Sequence, residues 1–145
     1  MSSSTALVLI DLINEIVSPN GKLAGKGYAD FQERYKSLDI AKSLLAKARK
    51  KNCTVIHVRL GFSMDYKELA EHSPLFGGAK SANAFQIGTW GTEFDARIAP
   101  LPHETVLVKH RVSAFYQTSL ELLLRAQRIN NVVLAGCATD LAVQS

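Results

Sequence analysis

Three points along the chain combine residue types that could do chemistry. Five apolar residues, Ala6 to Ile10, run straight into Asp11 with no turn residue beside it. A carboxyl group in that position is expected to be partly buried, and a buried carboxyl needs a partner. Thr105–Val108 runs into Lys109, followed by His110 and Arg111, so an ammonium at another strand end could be that partner. Asn131–Ala135 runs into Gly136-Cys137-Ala138-Thr139. That is a turn of small residues before a helix start, and its backbone N–H groups can point at an anion. An acid, a base and an anion-holding turn at one place would suit proton transfer or nucleophilic attack. Taken singly, each charge also fits the plain reading of a strand reaching water.

The elements that must position these residues are legible as four apolar runs: Ala6–Ile10, Thr54–Val58, Thr105–Val108 and Asn131–Ala135. None alternates with polar residues, so each suits a parallel strand covered on both faces. The second run carries His57 and is followed by Arg59. A helical pattern from Phe31 to Lys51 places Ile40, Leu44, Leu45 and Ala48 on one stripe. Another, Thr118 to Arg128, opens with a capping-box pattern at Thr118-Ser119-Leu120-Glu121, turns Leu120, Leu123 and Leu124 inward, and stops at Asn130-Asn131. Ser18–Tyr28, with Pro19, Gly21, Gly25 and Gly27, reads as a flexible loop. Gly61–Pro102 reads as a long functional connection with a short helix around Thr92–Ile98. The expected fold is α/β: a three-layer sandwich with a mainly parallel open sheet, which binds ligands beyond the carboxyl ends of its strands.

Composition narrows the function classes. The chain has 145 residues, 47% hydrophobic and 21% charged, which suits one globular domain. Seventeen Lys and Arg against thirteen Asp and Glu give a net charge of +4, too mild for a nucleic-acid footprint. The densest basic run, Lys47, Arg49, Lys50 and Lys51, reads as the dipole-favoured end of a helix. Cys53 and Cys137 are too few for a disulfide scaffold. No apolar run approaches the roughly 18–20 residues that span a bilayer. The residues after Met1 have no basic region of a signal peptide. A cytoplasmic protein without nucleic-acid or membrane partners is expected.

Three motifs carry a family resemblance. Leu7-Val8-Leu9-Ile10-Asp11-Leu12-Ile13-Asn14 resembles the first-strand motif of the isochorismatase-like hydrolases, the cysteine hydrolase superfamily. Val108-Lys109-His110-Arg111-Val112-Ser113-Ala114-Phe115 resembles their lysine motif, and Val133-Leu134-Ala135-Gly136-Cys137-Ala138-Thr139-Asp140 their nucleophile turn. The resemblance implies a catalytic trio of Asp, Lys and Cys, with Asp11 as the acid and Lys109 as the lysine. In the family pattern G-x-x-T-x-x-C-V, the register from Gly136 and Thr139 puts the nucleophile position at Ala142, which has no thiol. Cys137 lies on the turn itself and reads as a small hydrophobe. The family's peptide after this turn position is often cis, which would aim the Ala138 N–H into the pocket beside that of Ala142.

With the thiol absent, the resemblance implies two chemistries. Isochorismatase branches hydrolyse a vinyl ether with an acid and a lysine. Nicotinamidase and carbamoylsarcosine hydrolase branches attack an amide with the cysteine, which here would have been replaced or would be supplied by Cys137. A non-catalytic binding subunit is the third reading. Asn14, Phe115 and Trp90 are expected to touch a small-molecule substrate, and Phe62 and Phe85 either line the pocket or pack. No cofactor is expected and no metal, since His57, His72, His103 and His110 lack ligand spacing. A lone strand histidine such as His57 reads as a satisfied core residue. The resemblance further implies a homo-oligomer and a sheet of about six strands. On that ground the chain is expected to be a fragment, its fourth strand an apolar edge.

Overall fold

In the computed structural model the described residues are 3–70, 72–73 and 76–136. Strand β1 is Thr5–Ile10, six residues buried on both faces. A short helical turn α1 (Asn14–Val17) follows, then a 3-10 turn Ala24–Lys26, α2 (Tyr28–Tyr35) and α3 (Ser37–Lys50). Next come β2 (Thr54–Leu60), α4 (Ala79–Ala82), two 3-10 turns, β3 (Thr105–Lys109), α5 (Leu120–Ala126) and β4 (Asn131–Gly136). The strands form one parallel sheet in the order β3-β2-β1-β4.

Each face of the sheet buries alternate residues. Leu7, Leu9 and Val55 pack with Leu38, Ala41, Leu45 and Ala48 of α3. Ala6, Val8, Ile10, Ile56 and Val58 pack with Leu120 and Leu124 of α5. The result is the expected three-layer α/β arrangement. A fully buried Leu or Val contributes roughly 1.5–3 kcal/mol, and β1 supplies such residues to both layers.

Several local expectations are corrected. The helix expected from Phe31 breaks at Lys36, which takes a left-handed φ of 57°. The break separates α2 from α3, and α3 then buries Leu38, Ala41, Leu45 and Ala48. Ile40, expected inward, is 63% exposed because it lies off that stripe. The helix expected to begin at Thr118 starts at Leu120, and no side chain of Ser119 caps it. Thr118 Oγ1 accepts from Leu120 N instead, and Glu121 pairs with Arg125 one turn on. That helix ends before Asn130, with Arg128 in the left-handed region at φ 55°. The helix expected over Thr92–Ile98 is two 3-10 turns, Trp90–Thr92 and Ala96–Ile98. Between them Phe94 bridges Ile13, which holds the chain extended there. The loop Ser18–Tyr28 is tied down: Gly21 N donates to Ser18 O, and Leu23 N to Glu15 O.

Candidate active site

Strand β1 delivers Asp11 to the carboxyl edge of the sheet. Asp11 N donates to Val58 O at 2.9 Å, continuing the β1–β2 ladder by one bond. There the chain turns: Asp11 has φ 60°, a left-handed conformation that Asp tolerates better than most side chains. That turn sends the carboxyl group across the end of β2. Its Oδ1 accepts from Leu60 N at 2.9 Å, and its Oδ2 meets Lys109 Nζ at 2.8 Å.

Lys109 reaches it from the far side of β2. β1 and β3 are not neighbours, so their backbones lie about two strand spacings, roughly 9–10 Å, apart. A short cation could not cover that gap, whereas the four-carbon stem of Lys can. Lys109 is paired with Leu60 in the sheet register and donates a second hydrogen bond to Val112 O at 2.6 Å. Both charged residues are buried, Asp11 4% and Lys109 2% exposed. Burial pushes the Asp11 carboxyl above its ordinary value, and the Lys109 ammonium and the Leu60 N–H act against that rise. Next in sequence, His110 Nδ1 lies 2.6 Å from Gly61 O and fastens the end of β2 to the turn after β3.

The other expected site residues fall as follows. Gly136 closes β4 opposite Ile10, one position before Asp11. Asn14 Nδ2 donates to Trp90 O at 3.0 Å, so Asn14 and Trp90 are joined through the backbone of the loop before β3. The Trp90 and Phe115 residues are 47% and 43% exposed. Phe62 and Phe85 belong to the apolar core on the α3 side. Cys137, Ala138, Thr139, Asp140 and Ala142 lie outside the described residues.

Two acidic residues stand out in the structure that the motifs did not mark. Glu15, on α1, is 3% exposed and accepts Lys22 N at Oε1 and Phe85 N at Oε2. Its signal in the sequence was an acid among Ile13, Ile16 and Val17, four positions after Asp11. Glu104, just before β3, accepts two hydrogen bonds from Arg49 at 2.6 and 2.8 Å and lies 3.0 Å from His57 Nε2. Burial is the largest single influence and opposes its ionisation, but the hydrogen bonds from Arg49, the Leu101 N–H and His57 and the Arg49 charge together outweigh it and hold Glu104 at about 2. His57 itself is pushed below its usual value by burial. Its ring packs edge-on to Phe94, and its Nδ1 has no hydrogen-bond partner among the described residues, so this core histidine is only half satisfied. The described residues include no cluster of three or more metal-binding side chains.

Residues 5–145 match the isochorismatase domain family. The chain belongs to that family. It is 29% identical to the ureidoacrylate amidohydrolase RutB of Cronobacter sakazakii over 97% of this chain and 66% of that protein. It thus spans just under two thirds of that curated relative. Among solved structures, an isochorismatase family protein from Desulfovibrio vulgaris aligns at a TM-score of 0.78 and 29% identity, over 93% of this chain and 67% of that one. The N-carbamoylsarcosine amidase of Thermoplasma acidophilum aligns at 0.70 and 29%, over 94% and 68%. These solved structures share the α/β fold of this chain.

Proposed function

We propose that this site hydrolyses a small-molecule substrate by proton transfer at Asp11, with Lys109 as a fixed positive charge and no thiol at position 142. The observation that carries the reading is the buried 2.8 Å contact between Asp11 Oδ2 and Lys109 Nζ. It lies at the edge of the sheet where open α/β folds take their ligands. Burial favours the protonated carboxyl of Asp11, which suits delivery of a proton. In a vinyl-ether hydrolysis Asp11 gives its proton to the enol carbon. The oxocarbenium ion so formed takes up water, and the water's proton returns to Asp11. The hemiketal then breaks into a carbonyl compound and an alcohol. Lys109 steadies the carboxylate left after the first step. We place this activity in a homo-oligomer, as the resemblance implies, and in the cytoplasm, as the sequence reading expects.

Asp11→Asn and Lys109→Met test the reading on a panel of vinyl ethers and ureido or carbamoyl compounds. Loss of turnover by at least about a hundredfold in both variants, with far-UV circular dichroism unchanged, is expected. Activity that survives both changes removes the proposal.

A second reading has its own support, since two of the similar proteins are named as an amidohydrolase and an amidase. Under it, position 142 once held a nucleophile. Ala142→Cys should then gain amide hydrolysis and be alkylated by iodoacetamide at that residue. No gain on the ureido and carbamoyl panel discards it. The remaining alternative, a binding subunit without turnover, ends with detected turnover of any compound.

A further inference from the structure

The Glu15 carboxyl group is nearly sealed from solvent, yet the proposed chemistry does not use it. Its surroundings come from three distant stretches of chain. Lys22 N donates to Oε1 at 2.9 Å, Phe85 N donates to Oε2 at 3.2 Å, and Leu23 N donates to the Glu15 backbone carbonyl at 3.1 Å. Gly91 comes so close that a Cβ there would collide with Oε2. The Lys22 ammonium itself points elsewhere, to Asn83 O at 2.7 Å.

Phe85 is the informative partner. Its φ is 60°, a left-handed conformation that a bulky aromatic residue rarely adopts. Such a conformation persists only where the surroundings hold it from several sides. Glu15 holds the amide. On the other side, Phe62 N donates to Phe85 O at 2.8 Å, and Ile87 N donates to Phe62 O at 2.9 Å. Phe62 is two residues beyond Leu60, whose N–H orients the Asp11 carboxyl. Gly61, between them, is fixed by Gly61 N to Lys109 O at 3.1 Å. Two hydrogen bonds, Phe85 N to Glu15 and Phe62 N to Phe85 O, therefore lead from Glu15 to Phe62, and two residues of backbone lead from there to the end of β2.

We propose that Glu15 is a positioning residue for the Asp11–Lys109 site. Its carboxyl group locks the loop at Phe85, and through Phe62 it holds the Leu60 N–H against Asp11 Oδ1. The inference takes its site from the reading above, and only its effect on turnover rests on Asp11 being the working acid; the hold on the Asp11 carboxyl is read without turnover. Physically, the loop before β3 is too long to order itself, and one buried acceptor meets backbone donors from two loops at once.

The test reads the Asp11 carboxyl directly, by carbon-13 titration of that side chain in Glu15→Gln and in wild type. Among the described residues, Asp11 is faced by Lys109 Nζ from β3 and the Leu60 N–H from β2, with His110 held on Gly61 O close by. Gln keeps the shape of Glu15 but leaves one N–H donor facing an amide NH2. The Leu60 N–H lowers the Asp11 value, so loosening it moves the titration upward. Simple removal of a negative charge would move it downward, so the sign separates positioning from direct electrostatics. The expected result is an upward shift together with faster hydrogen exchange at Phe85 and Leu60. Where the panel gives turnover, kcat should fall on the order of ten- to a hundredfold. An Asp11 titration that stays put or moves down overturns the proposal, even if Phe85 exchange quickens.

A second measurement needs no variant. In wild type, Phe85 and Leu60 amides should exchange through one opening, with equal opening free energy and equal denaturant dependence. Independent openings overturn the linkage. Neither readout requires turnover. An inactive protein that passes both defeats the hydrolase reading and leaves the positioning by Glu15 in place.

Discussion

At the residue scale, the site is a problem of buried charge. Removing one partner of a buried pair leaves the other uncompensated, a cost of about 3–5 kcal/mol. Asp11→Asn is milder than Asp11→Leu, because the amide still accepts from Leu60 N or Lys109. The pH profile of kcat/KM separates the roles of the acid. If Asp11 works protonated, activity falls as pH rises through its raised folded value, and Asp11→Asn abolishes that limb rather than shifting it. An acidic limb in its place would make Asp11 a base. Glu104 behaves in the opposite sense. Its folded value is held at about 2, below the ordinary 4.5, so its stabilising contribution is complete above 4.5 and is lost as pH falls towards 2. Glu104→Gln should lower stability at pH 6 by about 1–3 kcal/mol, less than a fully sealed pair because Arg49 is partly exposed. Denaturant melts of both proteins at pH 3 and pH 6 check this, with the difference shrinking at pH 3. Asp11 and Lys109 were legible because each closes an apolar run without a turn residue. Glu15 and Glu104 were not, because the groups that bury them come from far along the chain.

At the element scale, α3 shows how much periodicity decides and where it stops. Leu38, Ala41, Leu45 and Ala48 form a clean stripe with Leu44 partly buried at its margin, but Ile40 and Leu44 also read as the start of a competing stripe in the same sequence. Which stripe turns inward depends on where α3 meets β1 and β2, and no local preference states that. The break at Lys36 is equally hidden, since neither Gly nor Pro stands there. A left-handed Lys costs roughly 1–2 kcal/mol, and burial of Leu38 just beyond it offsets that. Leu45→Ala should therefore cost about 2–5 kcal/mol, while Ile40→Ala stays within about 0.5 kcal/mol. Equal effects in urea denaturation would mean that α3 is rotated from the orientation described. The end of α3 is better encoded. Asn52 takes the left-handed position at φ 55°, and Cys53 N returns to Ala48 O at 2.9 Å, as a C-terminal cap requires.

At the scale of the whole molecule, the parallel sheet was readable because β1 is apolar on both faces, a pattern that only a covered strand tolerates. The strand order was less so, since pairing of β4 with β1 across the whole chain leaves no local mark. Hydrogen exchange should rank the sheet accordingly, slowest along Ala6–Ile10 between two neighbours and faster along β3 and β4. Equal protection across all four strands would contradict this ranking. The crossing of Lys109 over β2 also bears on synthesis. Asp11 leaves the ribosome about a hundred residues ahead of its cation. Until that cation arrives, the amino-terminal half cannot dry its own edge without burying an acid that lacks its partner or forcing a proton onto it. The ion pair is therefore a late arrival in assembly, and a nascent chain cut short before β3 should keep its first strands wet and open to proteases.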